Sequence, residues 1–161
     1  MAFDALAPID EHEADVAAAP EDVWDAVLDM LRGSFGGRGT HTFARLLGCQ
    51  PLDAAGWDQP GVGTTVTGFR VVDAEAPGLV VVEGNHRFSR YGIAFRIEPT
   101  GAGARLRIES RGDFPGLHGR LYRLAVIGSR GHVLAVRRML RDIASGAERR
   151  TPAPSGGTMT G

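Results

Sequence analysis

Two of the five histidines occupy positions where an imidazole could take part in proton transfer. His86 has the same strand parity as Val80 and Val82, so it should point to the inner face of a sheet. His132 lies in the apolar stripe of a long predicted helix. Two imidazoles on facing walls of one cavity would orient a polar ligand group or act as acid and base. The alternative is that each is a partly buried histidine bonded to backbone.

Strand parity also predicts further residues that line this cavity. Tyr91 is in phase with Ile93 and Phe95, so its hydroxyl should reach the cavity wall. Phe69, Phe95 and Ser110 are expected to line the same space. The alternative for these side chains is ordinary core packing, with the tyrosine hydroxyl near the rim.

Two glycines in the C-terminal helix fit either of two interpretations. Gly128 and Gly131 lack side chains, which would leave volume for a ligand beside the helix. They would equally suit a kink or close packing of the helix on the sheet. The sequence does not separate these two possibilities.

Thiol and metal chemistry have weak support. Cys49 has no activating neighbour in the sequence, so we interpret it as a structural residue. His41 and His118 lack the paired spacing of a metal site, and the chain contains neither CxxC nor HExxH. We therefore predict neither a metal nor a cofactor.

An antiparallel meander is predicted as the element that positions most of these residues. From Thr64 the hydrophobic period is two, which indicates strands over residues 64–72, 79–88, 91–98 and 104–113 with short turns between them. Glu83 and its neighbours of the same parity should face outward. Residues 10–17 give a weaker strand signal, typical of an edge strand.

Helices are predicted at both ends of the domain. Pro20, Glu21 and Asp22 suit a first helical turn, and Arg32 followed by glycine suits an end, which indicates a helix over 20–32. Residues 116–145 read as one long helix. Its apolar stripe comprises Leu117, Leu121, Leu124, Gly128, His132, Ala135, Met139 and Ile143.

The remaining segments set the domain boundaries. Residues 1–9 are expected to be flexible, 10–147 to form one domain, and 148–161 to be a disordered tail. Residues 33–63 have no clear assignment, although 42–49 fit a short helix or a strand, and the segment is expected to form the cavity rim.

This order of elements resembles the START-like (SRPBCC, polyketide cyclase/dehydrase-like) superfamily. The residues that carry the resemblance are the final amphipathic helix and the motifs Ala18-Ala19-Pro20-Glu21-Asp22-Val23-Trp24 and Pro60-Gly61-Val62-Gly63-Thr64. The resemblance implies an α+β helix-grip fold, in which a curved antiparallel sheet wraps a long C-terminal helix and a cavity opens between them.

Composition limits the partners. The net charge of -1 argues against nucleic acid. The chain shows no signal peptide and no apolar run of the ~20 residues that a membrane span needs, so we expect a cytoplasmic protein. The sequence does not indicate an oligomeric state.

Three functions fit these patterns. The first is binding or carriage of a small hydrophobic or amphipathic ligand in the cavity. The second is a cofactor-independent cyclase or dehydratase that uses His86, His132 and Tyr91. The third is a protein–protein interaction module that uses apolar residues on the far side of the last helix, Ile127 and Leu134. We rank them in that order.

Overall fold

A curved sheet of six antiparallel strands wraps around helices, which is the predicted α+β helix-grip architecture. The computed structural model describes residues 3–35, 42, 44–46, 48–87, 89–126 and 131–151. The strands follow the order β1-β6-β5-β4-β3-β2 across the sheet. They are β1 Pro8–Val16, β2 Thr65–Val66, β3 Phe69–Glu75, β4 Leu79–His86, β5 Ser89–Thr100 and β6 Gly103–Asp113. The helices are α1 Pro20–Phe35, α2 Gly116–Val126 and α3 Gly131–Arg150.

The antiparallel meander is confirmed, with one correction at its start. Residues 64–72 were expected to form one strand, but they form a hairpin in which Val66 pairs with Phe69. The turn lies at Thr67 and Gly68, and Gly68 has a φ of 85°. Glycine adopts this left-handed conformation without a steric penalty, so the chain can reverse there. The edge position of β1 agrees with prediction, since it pairs with β6.

The core lies between the inner face of the sheet and two helices. Phe95, Leu106 and Ile108 are fully buried on that face. They belong to one apolar cluster with side chains of α1 and α3, including Val23, Val27, Leu31, Val136, Leu140 and Ile143. The part of the sheet that α1 and α3 cover is therefore close-packed.

The outer face of the sheet carries charge near β1 and a small apolar cluster near β5. Arg105 binds Asp15 at 2.8 Å across the β1–β6 pair. Phe3, in a 3-10 turn over Phe3–Ala5, is buried with Val81 and Ala94. In the segment that was expected to be flexible, the buried Phe3 side chain thus packs against the sheet. Glu83 has the predicted outward parity but is buried rather than exposed.

Helix is seen over both described parts of the region expected to be helical, as α2 over 116–126 and α3 over 131–150. Residues 127–130, which include Gly128, lie outside the described residues. The buried residues of α3 are Val136, Leu140, Ile143 and Ala147. The predicted inward positions Met139 and Ile143 are confirmed, since Ile143 is buried and Met139 packs against the core. The predicted Ala135 is exposed, and the neighbouring Val136 is buried in its place. The helix also continues past the predicted domain end at 147.

The leucines of α2 do not contribute to the core. Leu117, Leu121 and Leu124 are 69%, 58% and 69% exposed, so their predicted inward orientation is wrong. Their helical spacing was read correctly, but they form a stripe that faces solvent. None of the described helices combines the length and the apolar composition of a bilayer-spanning segment.

The other predicted elements need smaller corrections. Helix α1 begins at Pro20 as expected and extends three residues beyond the predicted end at Arg32. In the segment without a clear assignment, Thr42 and residues 44–46 are helical. Isolated bridges join Gln50 to Asn85 and Ala55 to Thr65, so part of this segment lies along the sheet.

Candidate functional site

Polar and aromatic side chains gather at one end of β4 and β5 on the inner face. The Tyr91 cluster consists of Phe69, His86, Ser89 and Tyr91. The Tyr91 ring meets Phe69 edge to face with centroids 5.0 Å apart, and its centroid lies 5.6 Å from that of His86. The Tyr91 hydroxyl donates to the Gly68 carbonyl at 3.0 Å, and Nε2 of His86 lies 2.9 Å from Oγ of Ser89. Hydrogen bonds and ring contacts thus hold the cluster in place.

A second group lies where β1, β6 and α3 meet. The Asp10 cluster consists of Asp10, His12, Ser110 and His132. Nε2 of His132 lies 3.3 Å from Oδ1 of Asp10, and Nε2 of His12 lies 3.4 Å from Oδ2 of the same carboxylate. Asp10 is paired with Ser110 in the β1–β6 register. Since opposed residues of an antiparallel pair share a face, Asp10 and Ser110 point the same way.

Sheet register brings the two clusters onto neighbouring levels of one surface. Tyr91 is paired with Gly112, and Ser110 with Ile93, across β5 and β6. Tyr91 and Ser110 are therefore diagonal neighbours on the inner face, a relation that spans roughly 7–8 Å.

The structure brings most of the predicted site residues to this end of the sheet. Phe69, His86 and Tyr91 lie in one cluster, and Ser110 and His132 in the other. His86 and His132 are both on the inner side, but each has its own partners. Phe95 lies deeper, fully buried in the apolar core. Gly128 falls outside the described residues.

Asp10 and His12 were not identified as site residues from the sequence. Their signal is strand parity, because Asp10, His12 and Ala14 are in phase with Val16, the clearest inward residue of β1. Two polar side chains on the inward parity of a strand are unusual in a domain with an apolar core. That pattern was present in the printed sequence.

Burial shifts the titration of two groups near Tyr91. It lowers the pKa of His86, which favours the neutral imidazole. It raises the pKa of the Cys49 thiol, while a contact with Tyr91 acts in the opposite direction. A reactive cysteine needs a lowered pKa, so this environment agrees with a structural Cys49.

The described residues contain no group of three or more His, Cys, Asp or Glu side chains that could hold a metal ion. A groove of about 470 Å³ lies between α1 and α3. Its lining includes Asp29, Asp142, Arg149 and Arg150, and Arg150 forms an ion pair with Asp29. Its charged lining and its place between two helices distinguish this groove from the predicted cavity between sheet and helix.

Comparison with known proteins identifies the family. Residues 11–149 match the model of the family described as polyketide cyclase/dehydrase and lipid transport. The chain belongs to this family. The match extends over nearly the whole ordered domain and includes both clusters except Asp10. No curated protein matches the chain in sequence.

Solved structures share the fold at low sequence identity. A protein from Chromobacterium violaceum is 18% identical, with a TM-score of 0.54 over 86% of this chain and 96% of that chain. A polyketide-cyclase-like protein from Corynebacterium glutamicum is 16% identical, with a TM-score of 0.53 over 89% and 91%. The di-domain ARO/CYC StfQ from the steffimycin biosynthetic pathway is 15% identical, with a TM-score of 0.54 over 92% of this chain and 53% of that chain. These similarities concern the fold.

Proposed function

We propose that the protein binds a small hydrophobic or amphipathic molecule between the inner face of the sheet and the C-terminal helices. The observation that carries the proposal is that the inner face changes from apolar to partly polar along the strands. Phe95 and Ile108 are fully buried in apolar core. One or two inward positions further along the strands, the Tyr91 and Asp10 clusters place partly buried polar groups. Ligand sites combine apolar walls with a few such polar groups that fix orientation.

Family membership supports the same class of ligand. The family description joins polyketide cyclase/dehydrase with lipid transport. Polyketides and lipids both present large apolar surfaces with a small number of oxygen-bearing groups. The inner face between the two clusters combines apolar and polar side chains in the same way. Ile93 pairs with the apolar Val82 on β4 and with the polar Ser110 on β6.

Titration with N-phenyl-1-naphthylamine, a neutral apolar probe that fluoresces when shielded from water, tests the proposal. We expect saturable binding of one probe per chain. The variants His86→Trp and His132→Trp add bulk at half-buried positions on either side of the proposed site. We expect at least one of them to weaken binding by roughly 10-fold, because a displaced ring loses most of its buried contact area.

Apolar side chains on α2 provide the matched control. Leu121→Gln and Leu124→Gln reduce the exposed stripe without touching either cluster. Probe binding should be unchanged in this double variant. Binding that disappears with the leucines, or that neither tryptophan affects, would place the probe on the outside of the protein and contradict the proposal.

A cofactor-independent cyclase or dehydratase is the second candidate, and the Asp10–His132 contact favours it. A carboxylate only accepts hydrogen bonds, so its contact with His132 requires a proton on Nε2. In the neutral ring, Nδ1 is then the nitrogen that can accept a proton. Such an imidazole is a suitable general base. Deuterium exchange at the acidic carbon of a small 1,3-diketone, followed by NMR, tests this role. Exchange that His132→Gln leaves unchanged would exclude it.

A further inference from the structure

Three buried polar atoms of the Asp10 cluster have no hydrogen-bond partner in the described part of the structure. They are Oδ2 of Asp10, Nε2 of His12 and Oγ of Ser110. Buried polar atoms are nearly always hydrogen-bonded in folded proteins, and each exception needs a reason. Here the exceptions converge, because Asp10 and Ser110 are opposed in register and His12 lies two residues along the same face of β1.

The spacing of these atoms suits one additional polar atom between them. Cβ atoms of directly opposed residues are roughly 4.5–5.5 Å apart, yet no hydrogen bond joins Ser110 to Asp10. Nε2 of His12 and Oδ2 of Asp10 are 3.4 Å apart but do not have hydrogen-bond geometry. Ser110 is 1% exposed, whereas Asp10, His12 and His132 retain about a fifth of their side-chain exposure, so the cluster opens towards the surface.

The donor and acceptor inventory selects the chemistry of that atom. A carboxylate only accepts, so the incoming group must donate to Asp10. The Ser110 hydroxyl donates as well as accepts, and the group must also tolerate an imidazole nitrogen beside it. A hydroxyl satisfies both needs at once. A ligand carboxylate would face Asp10 with like charge, and an ether oxygen would offer no proton.

We propose that the Asp10 cluster is a subsite for a hydroxyl group, phenolic or alcoholic, on the ligand. Asp10 accepts the hydroxyl proton, and Ser110 donates to the hydroxyl oxygen. His132 contacts the other carboxylate oxygen and so positions Asp10. This inference rests on the proposed ligand-binding function, and it adds which polar group the ligand carries and where that group lies.

A set of three matched naphthalenes tests the subsite by competition with N-phenyl-1-naphthylamine. They are 2-naphthol, 2-methoxynaphthalene, which keeps the oxygen but lacks the proton, and 2-naphthoate, which carries a charge. We expect 2-naphthol to bind about 10-fold more tightly than the other two, as one or two hydrogen bonds to a charged group imply. The preference should fall to roughly 3-fold or less in Ser110→Ala and in Asp10→Asn.

Two further variants are controls. Asp15→Asn changes a carboxylate on the outer face of the same strand and should leave the preference intact. Ser89→Ala removes a buried serine hydroxyl from the other cluster of the proposed site and tests the alternative position of the hydroxyl; it should change the affinities of the three naphthalenes to the same extent, so that the ratio between them is kept. If Ser89→Ala abolishes the preference and Ser110→Ala does not, the hydroxyl lies at His86 and the inference is overturned.

The remaining outcomes separate this inference from the function on which it rests. Equal affinity for 2-naphthol and 2-methoxynaphthalene would overturn the subsite and leave ligand binding intact. Failure of all three compounds and of the fluorescent probe would overturn both. A preference for 2-naphthoate would show that Asp10 does not face the ligand.

Discussion

Ser110 and Ser89 are two buried serines on one face of the sheet that should respond to alanine with opposite signs. Ser110 is 1% exposed, and no partner for its Oγ is found among the described residues. Ser89 is 3% exposed, and its Oγ lies 2.9 Å from Nε2 of His86. The two substitutions remove the same atom from equally buried positions.

The expected magnitudes follow from the state of each hydroxyl. A buried polar group without a partner carries a desolvation cost of about 1–3 kcal/mol, so Ser110→Ala should increase the free energy of unfolding by about 1 kcal/mol. Ser89→Ala loses the hydrogen bond with His86, so it should decrease that free energy by about 1 kcal/mol. In a domain of this size, 1 kcal/mol corresponds to roughly 2–4 °C in Tm.

Calorimetry and urea denaturation of the ligand-free protein and both variants measure this difference. We expect the two variants to differ by about 2 kcal/mol, with wild type between them. An equal loss of stability in both variants would show that the Ser110 hydroxyl is satisfied in solution. That result would refute the reasoning that connects this hydroxyl to a ligand.

Three other predictions concern backbone packing and titration near the site. Gly84→Ala should strongly destabilise the protein in urea, because a Cβ there would meet the carbonyl of Gly68, whereas Gly101→Ala, with open space around it, should have little effect. Burial lowers the pKa of His86, so protonation of this imidazole favours the unfolded chain, and stability should fall as the pH drops below about 6.5. Measurements of Tm against pH should show a smaller loss in His86→Gln. Burial raises the pKa of Glu83, so ionisation of this carboxyl destabilises the fold as the pH rises. The neutral variant Glu83→Gln should therefore have a higher Tm than wild type at pH 7, and the difference should be smaller at pH 4.

The sheet was predictable from sequence because its signal is local. Alternation of apolar and polar residues, clearest from Ala104 to Glu109, reports which side of a strand is buried, and short turns force antiparallel neighbours. The observed parity of Val80, Phe95 and Ile108 follows directly. The hairpin at Gly68 was missed because the alternation continues through it, and only the φ of one glycine reverses the chain.

The C-terminal helices were less predictable, because hydrophobic periodicity shows which residues share one face of a helix but not what that face packs against. Leu117, Leu121 and Leu124 have core-like spacing, yet they face solvent. In α3 the prediction is wrong at Ala135, since Ala135 and Val136 both fit an apolar pattern and only contacts with α1 and the sheet distinguish them.

The candidate site shows the same division between local and long-range information. Tyr91 and His86 were predicted because strand parity places them. His132 was predicted from its helix stripe, but its partner Asp10 was not, because no local pattern connects a residue of β1 to one of α3. The two are 122 residues apart, and sheet topology alone brings them together.

The position of β1 has a consequence for how the protein is made. The strand is synthesised first but joins the sheet beside β6, the last strand to emerge from the ribosome. Until β6 is available β1 has no strand to pair with, and Asp10 gains its contact with His132 only when α3 follows. Strands that are far apart in the sequence pair slowly, because the long segment between them loses conformational entropy before the pairing contacts form. The polar end of the inner face is therefore the last part of this domain to assemble, and a ligand can stabilise the domain only after α3 has been synthesised.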